Sequence, residues 1–245
     1  MSIAEKILRA KTDYDAVYES GYEKGKSVGG TDTHYDTFWD SYQDNGNRTD
    51  YLNAFSGQGW NDETFNPKYP MKPVNAESMF GWSGISKIEC GEGKAIDFVN
   101  STTLYDCFRS MANLTEVGDI NGVNITAMNI CFQDCRKLVK IGTITVNEKT
   151  TFTNVFNYCS SLTTVKFKGT IGKKLDLGFS FFLSKESIIS TINALSDNTT
   201  DLSISFSRTA VNNAFETSVG VADGSTSDEW NNLIATKPNW TIALG

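Results

Sequence analysis

Residues 104–169 hold three versions of one sentence: LYDCFRSMANLTEVGDI (104–120), MNICFQDCRKLVKIGTI (128–144) and FTNVFNYCSSLTTVKFKG (152–169). Phe108, Phe132 and Phe156 stand 24 residues apart, and Leu114, Leu138 and Leu162 follow them with the same interval. Each version reads Φ-x-x-Φ-F-x-x-Φ-x-x-L-x-x-Φ, where Φ is apolar or Cys. A period in the 20–29 range carrying L-x-x-Φ is the mark of a leucine-rich array, in which every repeat buries its apolar face against its neighbours. The reading predicts an α/β solenoid: a short helical turn around each Phe, then a short strand. Candidate strands cover 116–120, 140–146 and 163–168. The repeated residues Phe80, Phe108, Leu114, Phe132, Leu138, Phe156 and Leu162 are its core.

Working outward, MFGWSGISKI (79–88) fits as a divergent first repeat with Phe80 in the Phe position. LDLGFSFFLS (175–184) fits as a degraded last one. This places the solenoid at 76–183, with a C-terminal cap at 184–245. Ser184 opens SKESIISTINAL as a capped amphipathic helix with Ile188, Ile192 and Leu195 on one face. Leu202, Ile204 and Phe206 alternate as a strand, DEWNNLIAT (228–236) reads as a short helix, and Trp240, Ile242 and Leu244 as a closing strand.

On the N-terminal side, residues 1–30 read as a heptad helix. Ile3, Ile7, Ala10, Tyr14 and Val17 follow the alternating spacing of four and three, and Ile at the early seam positions leans toward three strands. The segment serves either as an oligomerising stalk or docking helix, or as an amphipathic helix lying on its own domain. Residues 31–75 are rich in aromatic side chains, Trp39 and Trp60 among them, broken by Gly- and Pro-containing turns. They suit a cap over the open end of the array, because terminal repeats need covering. They also suit a ligand platform, with Trp39, Trp60 and Trp82 as candidates for stacking on sugar rings. Among polar side chains beside the strands, Lys140, Lys166 and Lys168 are candidates for exposed contacts.

Composition narrows the function. A formal net charge of −7 over 245 residues argues against nucleic acid or an anionic membrane as the main partner. The opening MSIAEKILRAKTDYD reaches acidic residues before any apolar run, so no secretory leader is expected. The five cysteines fall mainly in the repeat, before or after the Phe, where they read as small core hydrophobes. With His34 the single histidine, a Cys/His metal site is not expected, nor is any cofactor. No phosphate loop, dinucleotide fingerprint or nucleophile motif stands out. The carboxylates at 36, 40, 44, 50, 62 and 63 would suit a sugar-cleaving cleft, and equally a hydrated cap built on Asp turns. Asn-x-Thr/Ser sequences such as those at Asn100, Asn124 and Asn198 read as turns rather than glycan sites.

The run F-x-x-C-x-x-L-x-x-I, best seen in FNYCSSLTTVKF (156–167), resembles the BspA-like leucine-rich repeat of bacterial surface proteins and of prophages of gut Firmicutes. FWDSYQDNGNRTDYLNAFSGQGWNDETFNPKY (38–69) resembles the N-terminal module of the phage-associated members. SKESIISTINAL and IATKPNWTIA resemble their C-terminal cap. The resemblance implies a bacteriophage virion structural protein, a tail-fibre, receptor-binding or particle-decorating component, with no catalytic residues to carry over. Its implied partners are a second and third copy of itself, another virion protein held through residues 1–30, and a host-surface glycan or protein. Its implied location is the virion, assembled in the host cytoplasm. A bacterial surface adhesin and an intracellular interaction scaffold use the same repeat and remain as alternatives.

Overall fold

The computed structural model describes residues 48–57, 64–65, 67, 70–198, 202–218 and 227–245. Ile3, Ile7, Ala10, Tyr14, Val17, His34, Trp39 and Trp60 lie outside them, and with them the heptad and much of the aromatic segment. The described chain is mixed α/β with parallel sheets and few helices.

Five strands pair in chain order, all parallel: β1 (Thr64–Phe65), β2 (Lys87–Ile88), β3 (Glu116–Val117), β4 (Lys140–Val146) and β5 (Thr164–Gly169). Successive repeats therefore lie side by side. The register carries Lys87 against Glu116, Glu116 against Lys140 and Lys140 against Thr164. Opposite charges thus alternate down the exposed face, and Glu116 receives Lys140 Nζ at 2.7 Å and Lys87 Nζ at 3.7 Å. A second parallel register links single residues: Asp50 to Asn75, Asn75 to Thr103, Thr103 to Ala127 and Ala127 to Thr151.

Between these two columns the repeat carries its Phe, and here the structure departs from the expected helical turn. The backbone forms consecutive β-turns instead. Residues two before and two after the Phe have positive φ: Ser78 and Trp82, Asp106 and Ser110, Ile130 and Asp134, Asn154 and Tyr158. In the repeat of Phe132, the N–H groups of Cys131, Gln133 and Cys135 donate locally to the carbonyls of Met128, Ile130 and Phe132. The N–H groups of Ile130, Phe132 and Asp134 donate instead to Thr153, Val155 and Asn157 of the next repeat, at 2.8–3.0 Å. A helix would turn every N–H inward along its own axis. Left-handed residues two before and two after the Phe break the helical course, and every second N–H then points sideways, so each repeat is bonded to the next through its turns as well as its strands.

The same pattern begins before residue 76. Asn53, Phe55 and Gly57 donate to Glu77, Met79 and Gly81, and Asn53 and Gly57 have positive φ. Residues 50–57, placed in the aromatic cap by the sequence, thus carry the turn pattern of a further repeat.

The core runs along the stack. Phe80, Phe108, Leu114, Phe132, Leu138, Phe156 and Leu162 are all buried. Phe80, Phe108, Phe132 and Phe156 stack nearly parallel, with centroids 5.7, 5.1 and 5.7 Å apart and planes within 10°. Those separations slightly exceed the strand spacing of about 4.8 Å, as offset stacking requires. Phe65 meets Phe80 edge-on at one end, and Phe167 meets Phe156 edge-on at the other.

All five cysteines are buried free thiols. Cys135 Sγ donates to the carbonyl of Phe108 at 2.9 Å, and Cys159 Sγ to that of Phe132 at 3.0 Å. The thiols three residues after Phe132 and Phe156 therefore tie their repeats to the preceding ones. Burial pushes Cys135 up to about 12 and holds the other four above the ordinary thiol range as well.

The C-terminal region closes the open edge. Helix α1 (Lys185–Asn193) is capped by Ser184, whose hydroxyl accepts from Ser187 N–H, and buries Ile188 and Ile192. It lies along β5, and its serines take the place of a missing strand: Val165 N–H donates to Ser187 Oγ and Phe167 N–H to Ser190 Oγ, both at 3.1 Å. Covering an edge in this way removes a template for aggregation. A second parallel sheet of β6 (Leu175–Leu177), β7 (Leu202–Phe206) and β8 (Trp240–Leu244) follows. Helices α2 (Arg208–Phe215) and α3 (Asp228–Ala235) accompany it. The sequence reading did not identify α2; its buried Ala210, Val211 and Phe215 form a short apolar stripe. Lys237 Nζ donates to Leu195 O and Asp197, and Trp240 Nε1 to Ser196 O, which ties β8 to the end of α1.

Candidate functional site

The position two residues after each Phe generates a row on the turn face. Down the stack it reads Gly57, Trp82, Ser110, Asp134 and Tyr158. All five have positive φ: 55° for Ser110, 59° for Trp82, 62° for Tyr158, 64° for Asp134 and 70° for Gly57. Left-handed geometry costs a side-chain-bearing residue about 1–2 kcal/mol, least for Asn and Asp and nothing for Gly. Gly57 and Asp134 therefore suit the fold. Trp82 and Tyr158 do not, and they gain little burial in return: Trp82 is 49 % exposed and Tyr158 43 %.

Each of these rings has a guanidinium over it. Arg109 lies 5.2 Å from the Trp82 ring centre, and Arg136 5.6 Å from that of Tyr158. Arg109 is held from below by Asp106, 3.7 Å away, whose other carboxylate oxygen accepts from Ser78 Oγ at 3.2 Å. Burial raises the Asp106 carboxyl above its ordinary value, and Arg109 opposes that rise. Arg136 pairs with Asp134 at 2.9 Å, and Phe179 packs against Tyr158 at 4.8 Å. Beyond it Phe181 and Phe182 are exposed, Phe182 by 63 %.

Between the two rings lies a trough of about 350 Å³ lined by Ser110, Ala112, Asp134, Arg136 and Lys137. Lys137 Nζ donates to Asn113 Oδ1 at 3.0 Å, across one repeat. Trp82 and Tyr158 stand three repeats apart, about 14 Å at the usual strand spacing. The arrangement is two aromatic platforms separated by a polar floor holding both donors and an acceptor.

Of the stacking candidates named from sequence, Trp82 lies on this face, and Trp39 and Trp60 are outside the described residues. Lys140, Lys166 and Lys168 are exposed on the strand face instead, Lys140 engaged by Glu116. The sequence reading missed Arg109, Arg136, Tyr158 and Phe179. For Tyr158 the signal was positional: a bulky aromatic residue in a column that elsewhere holds Gly, Ser and Asp beside Trp82. Among the described residues no group of three or more His, Cys, Asp or Glu side chains could hold a metal ion, and no helix is long and apolar enough to cross a membrane.

No family model, curated protein or solved structure matches this chain.

Proposed function

We propose that the chain is a recognition scaffold of the leucine-rich solenoid type, in which stacked repeats hold the turn face rigid for a ligand and no chemistry is performed. The observation that carries this is the group Trp82, Arg109, Asp134, Arg136 and Tyr158 on the turn face of a stack bonded repeat to repeat, with Trp82, Arg136 and Tyr158 exposed and Arg109 and Asp134 half-buried. Aromatic and guanidinium groups are the side chains that dominate recognition surfaces. Holding them on a preorganised backbone lowers the ordering cost of binding.

Its setting, in this proposal, is a bacteriophage particle, as a tail-fibre, receptor-binding or decorating component directed at a host surface. That part rests on the resemblance of 38–69, of the repeats and of 184–195 to phage-associated BspA-like proteins, and on the lean of the heptad sequence toward three strands. Residues 1–30 would join copies of the chain, trimer favoured, and attach them to another virion protein. Mass spectrometry of gradient-purified particles from a lysate of the source strain tests the setting. Peptides of this chain should be recovered in the particles. Recovery in the cell-wall fraction alone would favour an adhesin, and recovery in the soluble cytoplasm alone an intracellular scaffold.

A further inference from the structure

We propose that the turn face is a glycan-binding site, taking an extended oligosaccharide along the repeat direction with its ring faces on Trp82 and Tyr158 and its hydroxyls on the trough between them. This rests on the recognition reading and names its ligand class.

The first argument is the strain at the two rings. Left-handed backbone in sparsely populated regions persists where the surroundings enforce it, and it concentrates at ligand sites. At this position the fold accepts Gly57, Ser110 and Asp134 in other repeats. Two of its repeats nevertheless carry a large aromatic residue there and leave the ring half in solvent. Left-handed backbone also holds Ile130 in the same turns, so what sets Trp82 and Tyr158 apart is the large ring that each leaves half in solvent at such a position.

The second argument is the order of groups. A protein–protein interface places its apolar residues at the centre and its polar ones at the rim. Here the order is reversed: rings at 82 and 158, with Asp134, Arg136, Lys137 and Ser110 between them. A sugar chain matches that order, since each pyranose has an apolar face for stacking and hydroxyls at its edges that both donate and accept. Asp134 accepts, Lys137 and Arg136 donate, and Ser110 does both. Arg109 and Arg136 come from the two repeats between the rings and each lies over one ring, and Phe179 packs against Tyr158, so a sugar meets the part of each ring left in solvent and a guanidinium beside it. The stack also repeats at a regular interval, so neighbouring repeats present their polar groups to successive sugars.

The test is an array of immobilised neutral and acidic oligosaccharides probed with the full chain, followed by calorimetry on the strongest binder. Trp82→Asn and Tyr158→Asn are compared with Phe182→Ser, which removes an exposed ring beyond the trough. Asn already occupies left-handed positions at Asn53 and Asn154, so both variants should fold with a melting temperature equal to or above wild type. Each should lose about tenfold or more in glycan affinity, the loss of one stacking contact, while Phe182→Ser binds as wild type. The combination of kept stability and lost binding is what a purely structural ring would not give. Absence of any glycan binding by the wild-type chain would overturn the ligand class and leave the scaffold proposal to the particle experiment. Melting several degrees below wild type in the Asn variants would assign the rings a structural role and overturn the site. Loss of binding with Phe182→Ser alone would move recognition to the apolar end and overturn it equally.

Discussion

Replacing Phe132 by Ala removes the ring at the middle of the stack. Phe132 is fully buried, with Phe108 at 5.1 Å on one side and Phe156 at 5.7 Å on the other. Truncating a buried Phe costs about 3–5 kcal/mol, made up of lost transfer energy and the cavity left behind. Two stacking contacts go with it, each worth about 0.5–1.5 kcal/mol beyond its area. The turns on either side are bonded to both neighbouring repeats, so the site cannot collapse without breaking those bonds. The loss therefore belongs in the upper half of the range, about 4–5 kcal/mol. For a chain of this size that lowers the melting temperature by about 10–15 °C. The assay is urea denaturation followed by circular dichroism, with thermal melting alongside. Phe182→Ser is the reference, because a 63 % exposed ring should change stability by no more than about 0.5 kcal/mol. A Phe132→Ala loss below about 1 kcal/mol, or equal to that of the reference, would refute the continuous aromatic core.

Three further outcomes are expected. The buried thiols, with ionisation pushed up by desolvation, should resist a thiol reagent at pH 8 in the native chain and titrate as five only in denaturant; rapid native labelling would contradict their packing. Glu116 has its carboxyl lowered by the hydrogen bond from Lys140, then by the charges of Lys140 and Lys87, so its contribution is complete above the ordinary value of 4.5 and is lost as pH falls through the depressed one. Glu116→Gln should flatten that part of the acid stability curve, with the difference shrinking in high salt; an unchanged acid limb would show the pair to be inert. Finally, light scattering should give a trimer for the full chain and a monomer for a chain starting at Gly30, while a monomer in both would reduce residues 1–28 to a docking helix.

How far the sequence could be read depended on which physics left a trace in residue type. The period around Phe108, Phe132 and Phe156 was legible because identical burial demands recur at one interval. Strand β5 was legible because apolar Val165 and Phe167 alternate with Lys166 and Lys168, and β4 because Ile141, Ile144 and Val146 recur in it despite the irregularity after Lys140. Phe55 was missed because its neighbours obscure the interval: it stands 25 residues before Phe80, and Phe80 stands 28 before Phe108. The turns were misread as helical because apolar spacing alone does not report the sign of φ. A trace was nevertheless present, in Asn53, Ser78, Asp106 and Asn154 two residues before the Phe, small polar residues tolerant of left-handed backbone, with Ile130 the exception. On the turn face, Trp82 was picked out for its chemistry alone. The strain that sets it and Tyr158 apart depends on backbone geometry that only the fold supplies, and the pairing of each ring with an arginine joins residues 22 and 27 positions apart in the chain. Helix α2 left a weaker mark still, since Ser207 precedes it without making a side-chain cap bond.

The central proposal is recognition of a host surface, on behalf of a phage particle, by the face between Trp82 and Tyr158. Competition for adsorption tests it most directly: purified chain is added to host cells, and the rate at which particles of the source phage adsorb is measured. The account predicts that wild-type chain slows adsorption in proportion to its concentration, and that the folded Trp82→Asn/Tyr158→Asn chain does not. Equal inhibition by both chains, or none by either, would contradict it.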